Sequence, residues 1–435
     1  MNVQNYKQLA VSELRKKALA IAEAGLGAIG TKQVILEGVR FEGNALFVRG
    51  KKFSLNGAER IHVVAVGKAA LDACVALEEV LGRRLARGVC LDVRGLHNDY
   101  DDDHDNDGQL QKIQLKVGTH PFPSEENVRA TKEIIDFLSG LDKKDFVLFV
   151  ISGGGSTLLV QPLGMGVEDE QKILKTLFAG GANIKEMNTI RKHISRARGG
   201  LLAKYVYPAS SLSLIFSDVP GDDVRVISSG PTVRDSTTIG DARRVMKKYR
   251  ISLPEEAVFE TPKEAKYFKN AKHVIFVSNK IALKAMAGKA KELGLEPKIR
   301  SSVLQGEARE VGIGILKELR EASSGSVFLY GGETTVTVRG DGEGGRNQEV
   351  SLGALSGVRE GELLLSFASD GRDNSRAAGG MCDILTKRHA KEKGLSPRDF
   401  LKENDSFHFF QKTGDALMLG RTGSNVSDLI VTIKE

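Results

Sequence analysis

A repeated strand–loop–helix pattern is the feature that most restricts how this chain of 435 residues can fold. Mostly apolar runs at residues 61–66, 145–151 and 212–216 each lead into a loop rich in Gly, Ser or Asp, and helical periodicity often resumes after the loop. Strands that alternate with helices pair in parallel and present ligand loops at their carboxyl ends. The pattern therefore predicts an α/β fold with a mostly parallel sheet.

The length of the chain exceeds what one hydrophobic core usually serves, so we expect two or three α/β domains. Hydrophobic periodicity weakens and charge rises over residues 253–267, and a strand-like run begins again at residues 273–277. These changes place the domain boundary between residues 265 and 266. A helix is predicted over residues 6–24, and the sequence leaves open whether it packs on the first domain or on the second.

The composition excludes several classes of protein. Hydrophobic residues make up 41% and charged residues 27% of the chain, as in soluble globular proteins, and no run of 18 apolar residues occurs. We expect a cytoplasmic protein, since residues 1–16 lack the apolar core of a signal peptide. Cys74, Cys90 and Cys382 have no metal-ligand spacing and are predicted to be buried thiols.

The charge points to a small-molecule partner. The net charge of +7 is dispersed, and basic residues do not interleave with aromatic ones, so we expect no nucleic-acid partner and no membrane. An acidic substrate is compatible with this charge. A monomer and a homodimer are both left open.

Residues 331–352 combine a predicted strand at residues 334–339, a glycine-rich loop after it, and the start of a helix at Arg346. Backbone N–H groups of such a loop converge on anions, and the forked side chain of Arg346 suits a carboxylate or phosphate. The alternative is a hairpin with a mobile loop. The loop's close-packed glycines, which favour close backbone approach, are Gly340, Gly342, Gly344 and Gly345.

Three loops of the first half carry similar signals. Lys68 follows the strand at residues 61–66, at a helix start where a cation is unfavourable, and its alternative is an ordinary surface lysine. Asp218 follows the strand at residues 212–216, where it suits a metal ligand or general base unless it only forms a turn. The third loop is a predicted phosphate cradle or structural turn formed by Ser152, Gly153, Gly154, Gly155 and Ser156.

These candidates are the parts that phosphoryl transfer requires, because such enzymes mostly position reactants and neutralise charge. Glu333 and Asp370 add acidic groups at strand ends. Neither a Ser-His-Asp arrangement nor a zinc cluster is evident. The acidic run at residues 99–107 imitates half of a calcium loop but lacks its final glutamate, so we interpret it as a solvated insertion.

Ten motifs in order resemble those of the glycerate 2-kinases that carry a C-terminal MOFRL domain. The likeness extends from about residue 61 to the C-terminus, and the ordered set is far more specific than any one motif. The motifs read VGKAA, GTHPFPSEEN, ISGGGSTLL, MNTIRKHISRARGG, SDVPGDD, SSGPT, GGETTVTV, GGRNQE, SDGRDN and TGSNVSD.

This resemblance implies ATP- and Mg²⁺-dependent phosphorylation of D-glycerate to 2-phosphoglycerate. It further implies that residues 1–265 form a Rossmann-like domain and residues 266–435 a smaller α/β domain of the MOFRL type. The active site would lie in the cleft between them. Its alternative is an NAD(P)H-dependent hydroxypyruvate reductase, a label also used in this family, although the chain has no G-x-G-x-x-G dinucleotide motif. A non-catalytic nucleotide-binding regulator is a third reading.

By position, the resemblance matches Lys68 and Arg346 to the family's basic residues in that cleft and Asp218 to its strand-end acid, and the further roles are our hypothesis. Lys68, Asp218 and Arg346 are the expected catalytic residues. Lys68 and Arg346, with Asn188 and Arg191, are expected to bind the substrate. The expected ATP site comprises Ser152, Gly153, Gly154, Gly155, Ser156 and Asn279, and the expected Mg²⁺ ligands are Asp218, Glu333 and Asp370.

Two stretches depart from the family pattern. The family's TDG-x-DG-P-T-D-A-A-G run reads SDGRDNSRAAGG here, so Ser375 and Arg376 replace its centre, and a metal role of that centre is not carried over to this chain. The family's GPTGTN reads GRTGSN.

Overall fold

A computed structural model describes residues 2–55, 57–93, 110–420 and 422–435. The chain divides into two compact units. The N-terminal unit comprises residues 31–217 and 222–276, and the C-terminal unit comprises residues 1–30, 218–221 and 277–435. The acidic run at residues 99–107 lies outside the described residues.

Helices and strands are numbered in chain order. The described α-helices are α1 (Tyr6–Leu9), α2 (Glu13–Gly27), α3 (Thr31–Gly38), α4 (Ala70–Leu81), α5 (Glu125–Ser139), α6 (Gly155–Leu158), α7 (Val167–Ala179), α8 (Ile184–Ile194), α9 (Leu201–Val206), α10 (Ile239–Tyr249), α11 (Asn279–Glu292), α12 (Ala308–Arg320), α13 (Arg346–Leu355), α14 (Ile384–Glu392), α15 (Pro397–Lys402) and α16 (Ser406–Thr413). The described strands are β1 (Val39–Glu42), β2 (Ala45–Val48), β3 (Lys51–Ser54), β4 (Arg60–Val66), β5 (Leu85–Val93), β6 (Ile113–Gly118), β7 (Asp145–Ile151), β8 (Ser210–Phe216), β9 (Ala271–Val277), β10 (Glu296–Leu304), β11 (Ser326–Gly332), β12 (Glu362–Ala368), β13 (Gly379–Asp383), β14 (Ala416–Leu417) and β15 (Asp428–Lys434).

A six-stranded sheet in the order β6-β5-β4-β7-β8-β9 forms the centre of the N-terminal unit. The strands β1–β3, which precede it in the chain, form a separate three-stranded antiparallel sheet. The pairs β4–β5, β4–β7, β5–β6 and β7–β8 are parallel. β7 is buried at every position, which its apolar sequence predicts. The predicted mostly parallel sheet is thus confirmed.

The strand order places two predicted ligand loops at one point. The chain builds the sheet outwards from β4 through β5 to β6 and then returns to β7 on the other side of β4. Val66 and Ile151, the last residues of β4 and β7, are register partners. Ligands of such sheets bind at the carboxyl ends of the strands where the order reverses.

The C-terminal unit contains a second six-stranded sheet, in the order β10-β11-β15-β12-β13-β14. Only β10 and β11 pair in parallel among the register pairs of this sheet, and the other pairs are antiparallel. Helix α2 belongs to this unit and packs against α11, where a Cβ on Gly25 would lie only 2.7 Å from Met286 Cγ. The predicted fold of two α/β regions is confirmed.

Three local predictions are wrong. The amphipathic sequence EMNTIRKHISRAR predicts one helix over residues 186–198, but the helix ends at Ile194, because Ser195 is extended and a turn leads to Gly200. The strand predicted at residues 334–339 forms a single bridge between Thr335 and Glu307, since no neighbouring strand pairs with the rest of it. The helix predicted over residues 6–24 is broken before Ser12, whose hydroxyl caps α2.

The domain limits 1–265 and 266–435 stay a prediction. β9, which begins at Ala271, completes the sheet of the N-terminal unit, and α2 packs in the C-terminal one. Among the described residues, no single helix has the length and apolar character to cross a membrane, and α2 with α3 meets that criterion only as a bent pair.

Candidate functional site

The switch point of the N-terminal sheet holds Lys68 against the glycine-rich loop that follows β7. Gly67 has φ +117°, and a Cβ there would lie 2.2 Å from Ser152 Oγ, so only glycine allows the two loops to approach this closely. The Lys68 N–H donates to the Gly153 carbonyl at 2.9 Å. Its side chain runs beside Gly154, where a Cβ would lie 3.3 Å from Lys68 Cγ.

The loop after β7 leaves backbone donors available. Within the described parts of the chain, the N–H groups of Gly153, Gly154 and Ser156 have no hydrogen-bond acceptor. The loop is fixed from behind, since Ser228 Oγ donates to the Ser152 carbonyl at 2.7 Å. A fixed loop with unpaired N–H groups is the arrangement that binds phosphate oxygens.

Lys68, His120 and Arg191 form a basic cluster at this loop. A Cβ on Gly154 would lie 3.5 Å from His120 Cδ2 and 3.7 Å from Lys68 Cε. Burial, together with the positive charges of Lys68 and Arg191, lowers the pKa of His120 from 6.5 to about 4. His120 is therefore a neutral imidazole near pH 7, and the two cations carry the charge.

Arg191 lies on α8 and is a largely buried guanidinium without a carboxylate partner among the described residues. Its Nε has no hydrogen-bond partner. Burial and the charge of Arg198 lower its pKa to about 10. Arg198 itself pairs with the buried carboxylate of Glu170 at 2.7 Å. An orphaned buried cation of this kind favours an anionic ligand, because a desolvated charge without a counter-ion is costly.

Asn188 lies one helical turn before Arg191 on α8 and is buried. Its Oδ1 accepts a hydrogen bond from Ser229 Oγ at 2.8 Å, and Ser229 Oγ lies 3.0 Å from Ser156 Oγ. This chain of contacts connects α8 to the loop after β7. The N-terminal unit therefore brings together Lys68, Asn188, Arg191 and the loop at residues 152–156, all predicted from the sequence.

Asp218 is half-buried, two residues after the end of β8. It belongs to the short segment at residues 218–221 that is part of the C-terminal unit. Asp218 therefore follows a buried strand, as its sequence predicts.

In the C-terminal unit, Arg346 begins helix α13 and is paired with two carboxylates. Its Nε and Nη2 donate to the two oxygens of Asp428 at 2.7 and 3.1 Å, and Nη1 donates to Glu333 at 2.8 Å. Burial opposes the charge, but Asp428 and Glu333 raise the pKa of Arg346 above its ordinary value. Glu333 is exposed and Asp428 is buried, so a ligand can compete for Arg346 more easily on the Glu333 side.

The anion at the start of α13 is a side chain of the protein itself. Asp373 accepts hydrogen bonds from the N–H groups of Asn347 and Gln348, at 3.1 and 2.8 Å, where the helix dipole favours negative charge. Burial raises the pKa of Asp373 to about 6, against the effect of these hydrogen bonds. The helix terminus that the sequence assigns to an external anion thus already holds a carboxylate.

The glycines before Arg346 allow contact with the protein's own backbone. A Cβ on Gly342 would lie 2.6 Å from Asp405 Cα, and one on Gly345 would lie 2.2 Å from the Asp373 carbonyl. The prediction of close backbone approach is correct in form, and the approaching groups are neighbouring loops.

The expected metal and nucleotide residues of this unit have separate surroundings. Glu333 pairs with Arg346, and Asp370 Oδ1 accepts the N–H of Arg372 at 3.2 Å. In the described chain, no three His, Cys, Asp or Glu side chains converge as a metal site. Asn279 begins α11 and donates from Nδ2 to the Ser302 carbonyl at 3.0 Å.

Sequence reasoning missed His120, Asp373 and Asp428 as parts of these sites. His120 lies in the quoted GTHPFPSEEN motif, so the signal was present without a role attached to it. Asp373 lies in SDGRDN and Asp428 ends TGSNVSD. Their hydrogen bonds to α13 depend on strand pairing between distant segments, which spacing alone does not reveal.

Two sequence profiles match the chain, one described as a domain of unknown function, DUF4147, over residues 17–260 and one as the MOFRL family over residues 326–428. A D-glycerate 2-kinase of Thermotoga maritima is 39% identical over 390 residues, covering 86% of this chain and 90% of that protein. An Agrobacterium vitis protein named as a candidate hydroxypyruvate reductase is 39% identical over 338 residues, covering 73% of this chain and 76% of that protein. The crystal structure of a Thermotoga maritima glycerate kinase superposes with a TM-score of 0.85 at 34% identity, covering 97% of this chain and 99% of that one.

Proposed function

We propose, on the premise that the chain belongs to the glycerate 2-kinase family with a C-terminal MOFRL domain, that it transfers phosphate from ATP to the 2-hydroxyl of D-glycerate. The chain is a kinase. The 2-hydroxyl oxygen of glycerate bonds to the γ-phosphorus, the bond from that phosphorus to the bridging oxygen of ADP breaks, and the hydroxyl proton leaves to a base.

The observation that carries this proposal is the set of unpaired donors in the N-terminal unit. Lys68 and Arg191 have no carboxylate partner among the described residues, and they lie near a loop with unused N–H groups. Both substrates of a glycerate kinase are anions, and a transferring phosphoryl group is stabilised chiefly by positioned donors and positive charge.

The loop at residues 152–156 holds the phosphates of ATP, and Lys68 neutralises the transferring group. Arg191 and Asn188 hold the carboxylate of glycerate, because a guanidinium and an amide donor match its two oxygens. His120, neutral near pH 7, lines this region without adding charge. These assignments account for the two half-buried cations of the unit that have no carboxylate partner among the described residues.

The remaining roles fall to residues of the C-terminal unit. Asp218 accepts the hydroxyl proton of the substrate, and Arg346 binds substrate or phosphoryl oxygens once it yields its contact with the exposed Glu333. Asn279, at the start of α11, contributes to the nucleotide site. The role of Arg346 requires only that its contact with Glu333 breaks, because its hydrogen bond to buried Asp428 can persist.

Magnesium supplies charge neutralisation between ATP phosphates in kinases. Asp218, Glu333 and Asp370 are the carboxylates proposed for it. Because no three acidic side chains converge among the described residues, one or two of these carboxylates would hold the ion together with the substrate phosphates, as is usual for Mg²⁺.

We further propose a cytoplasmic location and small-molecule partners alone, as a monomer or homodimer. The free, buried thiols of Cys74, Cys90 and Cys382 fit a reducing compartment.

A pair of coupled assays tests the function against its alternative. With ATP, Mg²⁺ and D-glycerate, we expect ADP release that depends on glycerate. With hydroxypyruvate and NADH or NADPH, we expect no oxidation of the nicotinamide. Nicotinamide oxidation without glycerate-dependent ADP release would establish the reductase, and neither reaction with retained ATP binding would indicate a regulatory protein.

A further inference from the structure

An open basic pocket of about 470 Å³ lies in the C-terminal unit, apart from the residues proposed for phosphate transfer in that unit. It is formed where α12, α15 and the loop before α13 meet. Its walls are Arg309, Arg339, Arg398, Leu401, Lys402 and Glu403, so that four cations face one carboxylate.

Three of these cations are not neutralised by the protein. The described residues offer Arg339, Arg398 and Lys402 no carboxylate within ion-pair distance, whereas many other exposed cations of the chain have one. Arg398 and Lys402 lie four residues apart on α15, on the same face of the helix. Clustered cations repel each other, so an anion that binds among them relieves a cost already present.

The fourth cation and the loop are fixed by buried groups. Arg309 donates from Nη2 to Glu349, which is 1% exposed, at 2.8 Å. Asn404 donates to the other oxygen of Glu349 at 2.6 Å and accepts the N–H of Arg339, also at 2.6 Å. The pocket walls are therefore preorganised, which lowers the entropy that a ligand must overcome.

We infer that this pocket binds a small anion bearing two or more phosphate groups. Arginine side chains bind phosphate oxygens in pairs, and a charge of several units on a small ligand matches three unpaired cations spaced around one pocket. Glu403 opposes such a ligand and limits its affinity. The inference concerns binding alone and does not depend on the kinase assignment.

The test is calorimetric titration of the full chain with pyrophosphate in metal-free buffer. A Lys68→Ala background weakens the competing phosphate loop of the other unit. In that background we expect binding that weakens roughly tenfold or more in Arg398→Glu/Lys402→Glu, since two attracting charges are replaced by two repelling ones. The matched control is Lys284→Glu/Lys291→Glu, which makes the same charge change on exposed residues of α11.

A third variant gives a gain of affinity. Glu403→Gln removes the one carboxylate that the described residues place in the pocket wall, so pyrophosphate should bind more tightly in it than in the parent. Absence of binding in the parent would overturn the inference. Equal weakening in the α15 and α11 variants would also overturn it, because the effect would then reflect net charge rather than a site.

Discussion

Arg346 donates two hydrogen bonds to Asp428, from Nε and Nη2 to different carboxylate oxygens, at 2.7 and 3.1 Å. Asp428 is 3% exposed, so the arginine is both a candidate ligand for substrate and the counter-ion of a buried carboxylate. Lys68 has no such obligation among the described residues. The two residues proposed to act on the phosphoryl group therefore differ in what their removal should do.

Lys68→Ala should lower turnover with ATP and D-glycerate by roughly 10²-fold or more, because it removes a charged contact to the transition state. Its free energy of unfolding should stay within about 0.5 kcal/mol of the parent, since no ion pair is broken. Steady-state kinetics and denaturant unfolding measure the two effects. Near-parental turnover would contradict the role of Lys68.

Arg346→Ala should lose activity to a similar degree and should also unfold more easily. The buried carboxylate of Asp428 is then left without its cation, and since the Arg346 side chain is 32% exposed, the loss should be smaller than the cost of about 3–5 kcal/mol that is typical of a fully buried pair. Arg346→Ala/Asp428→Asn should recover part of that stability and none of the activity. Recovery of both would show that Arg346 acts only through the fold.

His120 should make stability depend on pH in a defined window. Its pKa is about 4 in the folded chain, so the unfolded chain takes up a proton first as the pH falls below 6.5. Unfolding is therefore favoured progressively from pH 6.5 down to pH 4. His120→Gln has no imidazole to titrate, so its free energy of unfolding relative to that of the parent should rise as the pH falls from 6.5 to about 4. Parallel stability curves for the two proteins would contradict the assignment, and an NMR titration of the His120 ring would measure its pKa directly.

Arg15 should be essential for the stability of the C-terminal unit. This side chain is 1% exposed and pairs with Asp383 at 2.6 Å and Asp415 at 2.8 Å. Arg15→Ala leaves two buried carboxylates without their cation, at a cost of about 3–5 kcal/mol in unfolding free energy. The neighbouring Lys16→Ala removes only an exposed pair with Glu13, which water and salt screen, so it should lower the unfolding free energy far less than Arg15→Ala does. Equal losses in the two variants would contradict this account.

Much of the fold was predictable because the signals are local. The strands at residues 61–66, 145–151 and 212–216 follow from apolar runs that end in loops rich in Gly, Ser or Asp. The end of α8 and the absence of a strand at residues 334–339 were not predictable. Both depend on which distant parts of the chain lie beside these residues, and this cannot be read from the local sequence.

The candidate site divides in the same way. Lys68 and the loop at residues 152–156 were predictable, since parallel strands must bring their ends together. The internal carboxylate at the start of α13 was not, because Asp373 lies 26 residues further along the chain than Asn347, in the loop after β12. The sequence indicates that the start of this helix favours an anion, but it does not indicate which anion lies nearest.

The position of the transferred phosphate tests the central claim most directly. The full chain is incubated with ATP, Mg²⁺ and D-glycerate, and the product is identified by proton and phosphorus NMR. The account predicts 2-phosphoglycerate, with the phosphorus coupled to the single proton on C2. Phosphate on C3, coupled to two protons, or glycerate that remains unphosphorylated would contradict it.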